Sequence, residues 1–265
     1  QTVVGSGVAA PSIKGDILFG SGADRLELLD GTAAGDVSFG AGVDRFVLSG
    51  DAGFSGKASF GGQADELDLS GTSSFAGTAD FAGGAGNLSL SDNALFKGRL
   101  LGSENVAVAL DGGTLDLGAP TTISSLAVGS TGVVVATLSK DPAAGSAITV
   151  TGQASFAEGA KLKLRLTDIA QAEGTYNVLD AGTLTGADDL ESDKTLVPFM
   201  YNALLAVDQA AGLVNVDIER KATSELGLNR AQAGAYDALY TALAEDDDVA
   251  GVFLDITGAD AFRAV

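Results

Sequence analysis

The chain has 265 residues and a formal net charge of −20, with 46% hydrophobic and 19% charged residues. It contains no cysteine and no histidine, which excludes disulfides, thiol catalysis, thiolate metal sites and histidine as a general base or metal ligand. The acidic balance disfavours nucleic acid and anionic membrane surfaces as partners. The most apolar region, Leu196 to Val214, contains Pro198, Asn202 and Asp208, so it does not predict a membrane-spanning helix.

The region from Gly15 to Leu117 is an internal repeat. Its starting glycines are 20, 21, 21 and 21 residues apart, and the fifth copy is fainter than the others: Gly15–Ala34, Gly35–Phe54, Gly56–Phe75, Gly77–Phe96 and Gly98–Leu117. A fixed period of this length indicates a solenoid. The preceding residues 1–14 are rich in small residues and consistent with the end of an earlier coil.

Each copy predicts short β-strands. Apolar residues recur two apart, as at Leu26 and Leu28 or Leu67 and Leu69, which is the period of a strand and not of a helix. We therefore expect an all-β fold, a right-handed parallel β-helix with about 20–21 residues per coil. Equivalent side chains should stack about 4.8 Å apart in two internal ladders: Phe19, Phe39, Phe60 and Phe81, then Phe54, Phe75, Phe96 and Leu117.

The strict period fades after Leu117, although the strand character continues. Strands are predicted at Leu126–Val128, Val133–Val135, Ile148–Val150, Leu162–Leu166 and Gly174–Gly182. Leu196 to Val207 and Leu213 to Ile218 predict a hairpin around Asp208–Gly212. We interpret this part as a β-cap that closes the solenoid.

The period changes to a helical one from Thr223 onward. Thr223 or Ser224 is the predicted N-cap. One stripe carries the apolar positions, and Tyr236, Tyr240 and Leu243 widen this apolar face: Leu228, Ala231, Ala235, Ala238, Leu239 and Ala242. Asp246 to Asp248 should break this helix, and Thr257 to Asp260 resembles the capping box of a last short helix. The predicted organisation is thus repetitive coils over 1–119, a β-cap over 120–220 and a helical linker over 221–265.

This order of parts resembles the C-terminal portion of an autotransporter passenger, from the type V secretion route of Gram-negative bacteria. The resemblance is carried by degenerate motifs: Ser125–Gly132, Val150–Phe156, Gly174–Leu179, Val214–Lys221, Leu228–Ala233 and Leu254–Gly258. It implies a cap that promotes folding during secretion, called an autochaperone region, and a location outside the cell or on its surface. It also implies a partner, the protein's own outer-membrane β-barrel domain, which is absent from this chain.

Three aspartates are candidate metal ligands. Gly20–Asp24 and Gly40–Asp44 have the pattern G-x-G-x-D, and Gly61–Asp65 matches it in part. This pattern is typical of calcium-binding repeats, although those recur every nine residues. Stacked aspartates would lie about 5 Å apart and repel by ~1 kcal/mol per pair in water, or ~3 kcal/mol at an effective dielectric constant of 20. The interpretations are solvated turn aspartates or a calcium site.

No catalytic group is predicted, and no cofactor other than calcium. Ser73–Ser74 and Ser124–Ser125 have no histidine to activate them, and the acidic runs at Asp188–Asp189 and Asp246–Asp248 are expected to be solvated loops. The leading hypothesis is a non-enzymatic, surface-exposed or secreted passenger that acts as a stalk or adhesive surface. The alternatives are a subunit of an extracellular filament or surface layer, assembled through solenoid ends and the tail helix, and an extracellular polysaccharide-active β-helix enzyme.

Overall fold

A computed structural model describes residues 10–139, 145–169, 172–193 and 196–264. Within these ranges no helix has the length and apolar character needed to span a membrane. Residues 1–9, which the sequence assigns in part to an earlier coil, lie outside the described residues.

Twenty strands and three helices make up the described chain. The strands are β1 Ser12–Lys14, β2 Ile17–Leu18, β3 Arg25–Leu28, β4 Thr32–Ala34, β5 Val37–Ser38, β6 Arg45–Leu48, β7 Gly53–Ser59, β8 Asp65–Leu69, β9 Ser74–Asp80, β10 Gly86–Leu101, β11 Val106–Leu117, β12 Thr121–Ile123, β13 Ser125–Val128, β14 Val133–Leu138, β15 Ile148–Phe156, β16 Lys161–Leu166, β17 Gly174–Thr185, β18 Glu191–Asp193, β19 Tyr201–Asp208 and β20 Leu213–Arg220. The helices are α1 Arg230–Ala242, α2 Asp247–Leu254 and α3 Ala259–Ala264.

The strands wind into a parallel β-solenoid of about six turns with ~21 residues per turn, which confirms the predicted parallel solenoid. Each strand pairs with the strand one coil further along the chain. One face runs β3–β6–β8–β10–β11–β13, and a second runs β4–β7–β9–β10–β11–β14. Parallel pairing continues past Leu117 as far as β18.

The first predicted phenylalanine ladder is confirmed. Phe19, Phe39, Phe60 and Phe81 stack with ring centroids 5.2, 5.0 and 4.9 Å apart. The last three are buried, whereas Phe19 in the first described coil is partly buried. These rings fill the interior of the coils, so the repeated phenylalanine is a core position.

The second ladder departs from its prediction at one member. Phe54, Phe75 and Phe96 stack as expected, 4.9 and 5.0 Å apart. The residue that continues the ladder is Leu115, which pairs with Phe96, while the predicted Leu117 pairs with Gly98. A register shift after Asp92 makes this step shorter than the step of the strict repeat.

The coils beyond the repeat vary in length. Val108 pairs with Leu126 across a coil that is shorter than those of the repeat, whereas the coil that joins Val133 to its partner Lys161 is clearly longer. The pairing of Ile148 with Leu179 spans a longer coil still. The inner side chains of these coils are buried and belong to the same core as the repeats. The period therefore fades in the sequence because the turns change in length, while the strands keep stacking.

A hairpin closes the C-terminal end, as predicted. Strands β19 and β20 are antiparallel and joined at Asp208 and Leu213. Strand β20 also pairs antiparallel with β17 of the last coils. Because β20 is antiparallel to β17, it ends the series of parallel strands and covers that end of the solenoid.

The predicted helical segment is present, but its N-cap and the exposure of its alanines differ from the predictions. Helix α1 begins after Asn229, whose side chain accepts the N–H groups of Ala231 and Gln232 at 2.9 and 3.0 Å. Asn229 with Gln232 forms a complete capping box, so Thr223 and Ser224 were wrong. Tyr236 of α1 and Leu243 at its C-terminal end are buried, as expected for the larger residues of the predicted apolar face. The alanines of the predicted stripe are exposed: Ala231, Ala235, Ala238 and Ala242.

The helix breaks before Asp246 as predicted, since α1 ends at Ala242, and Asp246 also caps α2. Its side chain accepts the N–H groups of Asp248 and Val249, both at 3.1 Å. The last helix, α3, begins at Ala259 inside the predicted segment Thr257–Asp260.

A column of glycines fixes how closely the coils approach. Gly35, Gly56 and Gly77 have φ values of +138°, +145° and +147°. A Cβ atom on each would lie 2.4, 2.0 and 1.9 Å from the carbonyl oxygen of the preceding glycine in the column. Any larger residue would therefore be strained by its backbone conformation and would also clash with the neighbouring coil.

Gly77→Ala is expected to lower the free energy of unfolding by more than about 2 kcal/mol, because both the positive φ and the contact with Gly56 oppose a side chain. Gly62→Ala is the matched control, since a Cβ there meets nothing within 4 Å and its φ is outside the left-handed region. Urea unfolding followed by circular dichroism measures both. Equal effects of the two substitutions would contradict the constraint.

Candidate functional site

The three candidate aspartates lie one above another on adjacent coils. The backbone N–H of Asp24 donates to Asp44 Oδ1 at 2.8 Å, and that of Asp44 donates to Asp65 Oδ1 at 2.9 Å. In the next coil Gly86 takes the aspartate position, so the Asp65 N–H donates to the Ala85 carbonyl at 3.1 Å instead. We call Asp24, Asp44 and Asp65 the aspartate column.

Two of the three aspartates in the column are buried, which contradicts the interpretation as solvated turn aspartates for Asp44 and Asp65. Asp44 and Asp65 have 0% of their surface exposed, and Asp24 is half-buried. Because water does not reach Asp44 and Asp65, the larger repulsion expected for a partly buried pair, about 3 kcal/mol, is the relevant one. Burial raises the pKa of Asp65, the hydrogen bond from the Asp44 N–H lowers it in part, and the charge of Asp44 raises it.

One carboxylate oxygen of each aspartate in the column accepts no hydrogen bond from the described part of the chain. The Oδ2 atoms of Asp24, Asp44 and Asp65 are buried and have no hydrogen-bond partner among the described residues. Within the same part of the chain, no three acidic side chains converge closely enough to hold one metal ion. The column is thus a row of neighbouring carboxylates and not a ready-made cage.

The glycines of the G-x-G-x-D motif have a purely structural explanation. Gly40 and Gly42 have φ values of +84° and +148°, and a Cβ on them would lie 1.9 and 1.8 Å from the carbonyl oxygens of Gly20 and Gly22. Close stacking of the loops therefore requires glycine at both places. The aspartates have a structural role as well, because Oδ1 of Asp44 and of Asp65 accepts a backbone N–H of the preceding coil, but this role leaves their Oδ2 atoms unexplained.

The other candidate groups take part in structural contacts. Ser73 is buried and its hydroxyl donates to the Leu48 carbonyl at 3.2 Å. Asp188 accepts a hydrogen bond from the Gln209 side chain, and Asp246 caps a helix.

Two polar clusters were missed by the sequence analysis. In the first, Arg165 on β16 reaches across β14 to Asp116 on β11, with both guanidinium nitrogens bonded to the carboxylate at 2.6 and 2.8 Å. Asp116 is 6% exposed. The two residues are 49 positions apart, and no local pattern connects them. The pair therefore spans three successive coils, joining β11 to β16 across β14.

The second cluster joins the helices to the capped end. Tyr201 on β19 donates to the Ile169 carbonyl at 2.6 Å, and its oxygen lies 3.1 Å from the Tyr240 oxygen on α1. Tyr240 in turn donates to Glu173 Oε2 at 2.9 Å. Burial raises the pKa of Tyr201, so its hydroxyl stays neutral in this cluster.

Cations on β20 and just after it complete the contact. The Arg220 guanidinium lies 4.5 Å from the centroid of the Tyr240 ring and pairs with Asp237 at 3.0 Å. The neighbouring Lys221 donates to the Phe199 carbonyl at 2.7 Å. The helices are therefore docked on the cap through aromatic, cationic and hydrogen-bonded contacts.

Comparison with known proteins gives no match: no family model, no curated protein and no solved structure matches the chain.

The burial of the column can be tested by comparing how the free energy of unfolding of the wild type and of Asp65→Asn depends on pH. Because the pKa of Asp65 is raised, the folded protein keeps a proton that the unfolded chain loses at about pH 4. The free energy of unfolding of the wild type therefore falls as pH rises through the folded pKa. We expect Asp65→Asn to remove this loss, so that the variant gains stability relative to the wild type as pH rises to neutrality. Urea unfolding with EDTA present measures the difference.

Asp80→Asn is the control with the opposite sign. Burial alone would raise the pKa of Asp80, but hydrogen bonds from the Lys57 side chain and the Ala82 N–H outweigh it, and the pKa is lowered. Removing this charge should cost stability relative to the wild type as pH rises. If the stability of Asp65→Asn relative to the wild type did not change with pH, the prediction would be contradicted.

Proposed function

We propose that the chain is the C-terminal part of an autotransporter passenger of a Gram-negative bacterium. It acts outside the cell or on its surface, without enzymatic activity, as a stalk or adhesive surface. The cap, residues 120–220, promotes folding of the coils during secretion, and the helical segment leads toward the protein's own outer-membrane β-barrel.

The closed C-terminal end is the observation that carries this proposal. The hairpin β19–β20 turns the chain antiparallel, and α1 is docked on it through Tyr201, Tyr240 and Arg220. A solenoid needs its last coil covered, because stacked repeats otherwise expose their core and unpaired strand edges. A cap of this size also offers a unique, non-repetitive template on which the coils can be wound.

A stalk agrees with the way the coils are built. The interior is filled by side chains of adjacent coils, and the outer faces carry ion pairs between neighbouring coils, such as Lys57 with Asp80 at 2.9 Å and Arg45 with Glu66 at 3.2 Å. Such a rod contacts itself only coil to coil. The net charge of −20 favours solubility outside the cell and opposes self-association.

The filament alternative has less support. End-to-end stacking needs two open solenoid ends, and the hairpin together with the helices covers the C-terminal one. An assembly would therefore need the cap to move away or the outer faces to associate side by side.

The coding sequence downstream of Val265 tests the export route. The proposal expects the reading frame to continue into segments of about ten residues with alternating hydrophobicity, the signature of a transmembrane barrel. A frame that stops or leads into an unrelated domain would overturn the assignment to this secretion route.

The folding role of the cap is tested by two matched substitutions. Val216 in β20 and Val106 in β11 are both fully buried, so Val→Ala at either should cost about 1–3 kcal/mol. We expect Val216→Ala to slow refolding about fivefold, because the cap forms before the coils. Val106→Ala should mainly speed unfolding. The measurement is refolding and unfolding by denaturant dilution, followed by circular dichroism; a Val216→Ala variant that refolds at the wild-type rate contradicts the role.

A further inference from the structure

The aspartate column presents buried negative charge that the described contacts leave uncompensated. Asp44 and Asp65 have no exposed surface, and the Oδ2 atom of each has no hydrogen-bond partner among the described residues. Each carboxylate receives one backbone N–H through Oδ1, which satisfies only part of its capacity as an acceptor. A buried carboxylate is costly unless it is paired, protonated or bound to a cation.

The basic side chains that follow two of these aspartates in the sequence pair with other carboxylates. Arg25 follows Asp24 directly, but its guanidinium pairs with Glu27 at 3.2 Å. Arg45 follows Asp44, and it pairs with Glu66 at 3.2 Å and with Asp68 at 2.7 Å. Both arginines lie on the outer face of the strands, where they pair with other carboxylates and do not neutralise the aspartate column.

We propose that the aspartate column binds calcium, with each ion shared by the carboxylates of two neighbouring coils. A shared ion agrees with the geometry, because the three aspartates lie on successive coils with buried, unpartnered Oδ2 atoms, while no three acidic side chains of the described residues surround one point. The remaining ligands would be backbone carbonyls of the glycine-rich loops. Calcium accepts such irregular sets of six to eight oxygens.

The chemistry of the ligands favours calcium over other metals. Carboxylate and carbonyl oxygens are hard ligands, and the chain has no histidine or cysteine for softer metals. Magnesium needs a near-ideal octahedron and gives up its water reluctantly, which a dry row of carboxylates on adjacent coils does not suit. This inference concerns the coils alone and does not rest on the proposed secretion route.

A second pair of aspartates in the same coils provides the contrast. Asp16 and Asp36 also join neighbouring coils through a carboxylate and a backbone N–H, but in the opposite direction along the chain, since the Asp36 N–H donates to Asp16 Oδ1 at 2.9 Å. Both are exposed, so water compensates their charge. They provide exposed aspartates that bridge neighbouring coils, and we expect them to bind no ion.

Calcium titration of the complete chain, freed of metal with EDTA and dialysed at neutral pH, tests the proposal. Isothermal titration calorimetry with calcium chloride should give a dissociation constant of about 10⁻⁴–10⁻³ M, the range of extracellular calcium modules. Near saturation, calcium should raise the melting temperature by about 5 °C. Magnesium chloride at the same ionic strength controls for screening of the net charge.

Asp44→Asn is the main variant, because an amide oxygen keeps the bond to the Asp24 N–H while the charge is removed. It should lose the heat of binding and the calcium-dependent rise in melting temperature, and Asp65→Asn repeats the test should the first variant misfold. Asp36→Asn, the exposed counterpart, should keep both. The proposal fails if the wild type does not respond to calcium, if magnesium is equally effective, or if Asp36→Asn removes the response as fully as Asp44→Asn. A stabilisation by low pH without any calcium response would mean that protons neutralise the column, and would also overturn it.

Discussion

The close approach of backbones at the glycine column is the constraint on which the rest of the structure depends. Gly35, Gly56 and Gly77 let successive coils stack at the spacing of paired strands, because no side chain stands between them. At that spacing the phenylalanine rings meet about 5 Å apart and exclude water. The same spacing places equivalent aspartates in one buried row. Core packing and the candidate cation site are thus two results of one backbone geometry.

Much of the fold could be predicted because each coil repeats the local pattern of the one before. The regular spacing of the starting glycines predicted the solenoid and the ladder through Phe19, Phe39, Phe60 and Phe81. Leu117 was wrong because one step contracts at a register shift, so that Leu115 takes its place. A fixed sequence period does not show where one coil is shorter than the others. The N-cap of α1 was wrong because several polar residues precede the helix, and the one that caps it is Asn229, which forms a capping box with Gln232.

The candidate site was predicted only in part. Equal spacing was enough to bring Asp24, Asp44 and Asp65 together, but not to tell whether the row faces water. Burial depends on how the loop closes over the coil, and the glycines that set this closure look like ordinary turn residues. The Asp116–Arg165 pair and the contact of Tyr201 with Tyr240 join positions 49 and 39 residues apart. Contacts of that kind depend on the finished winding and leave no mark in the local pattern.

The unequal length of the later coils has a consequence for errors in winding. The first four copies are nearly interchangeable, so a chain threaded one whole coil out of step would still place phenylalanine on phenylalanine. The coils near the cap cannot be exchanged in this way, since they differ in length from one another and each fits only one partner. The irregular end therefore acts as a unique starting mark. Once this end has folded, each regular coil can stack in only one register relative to it.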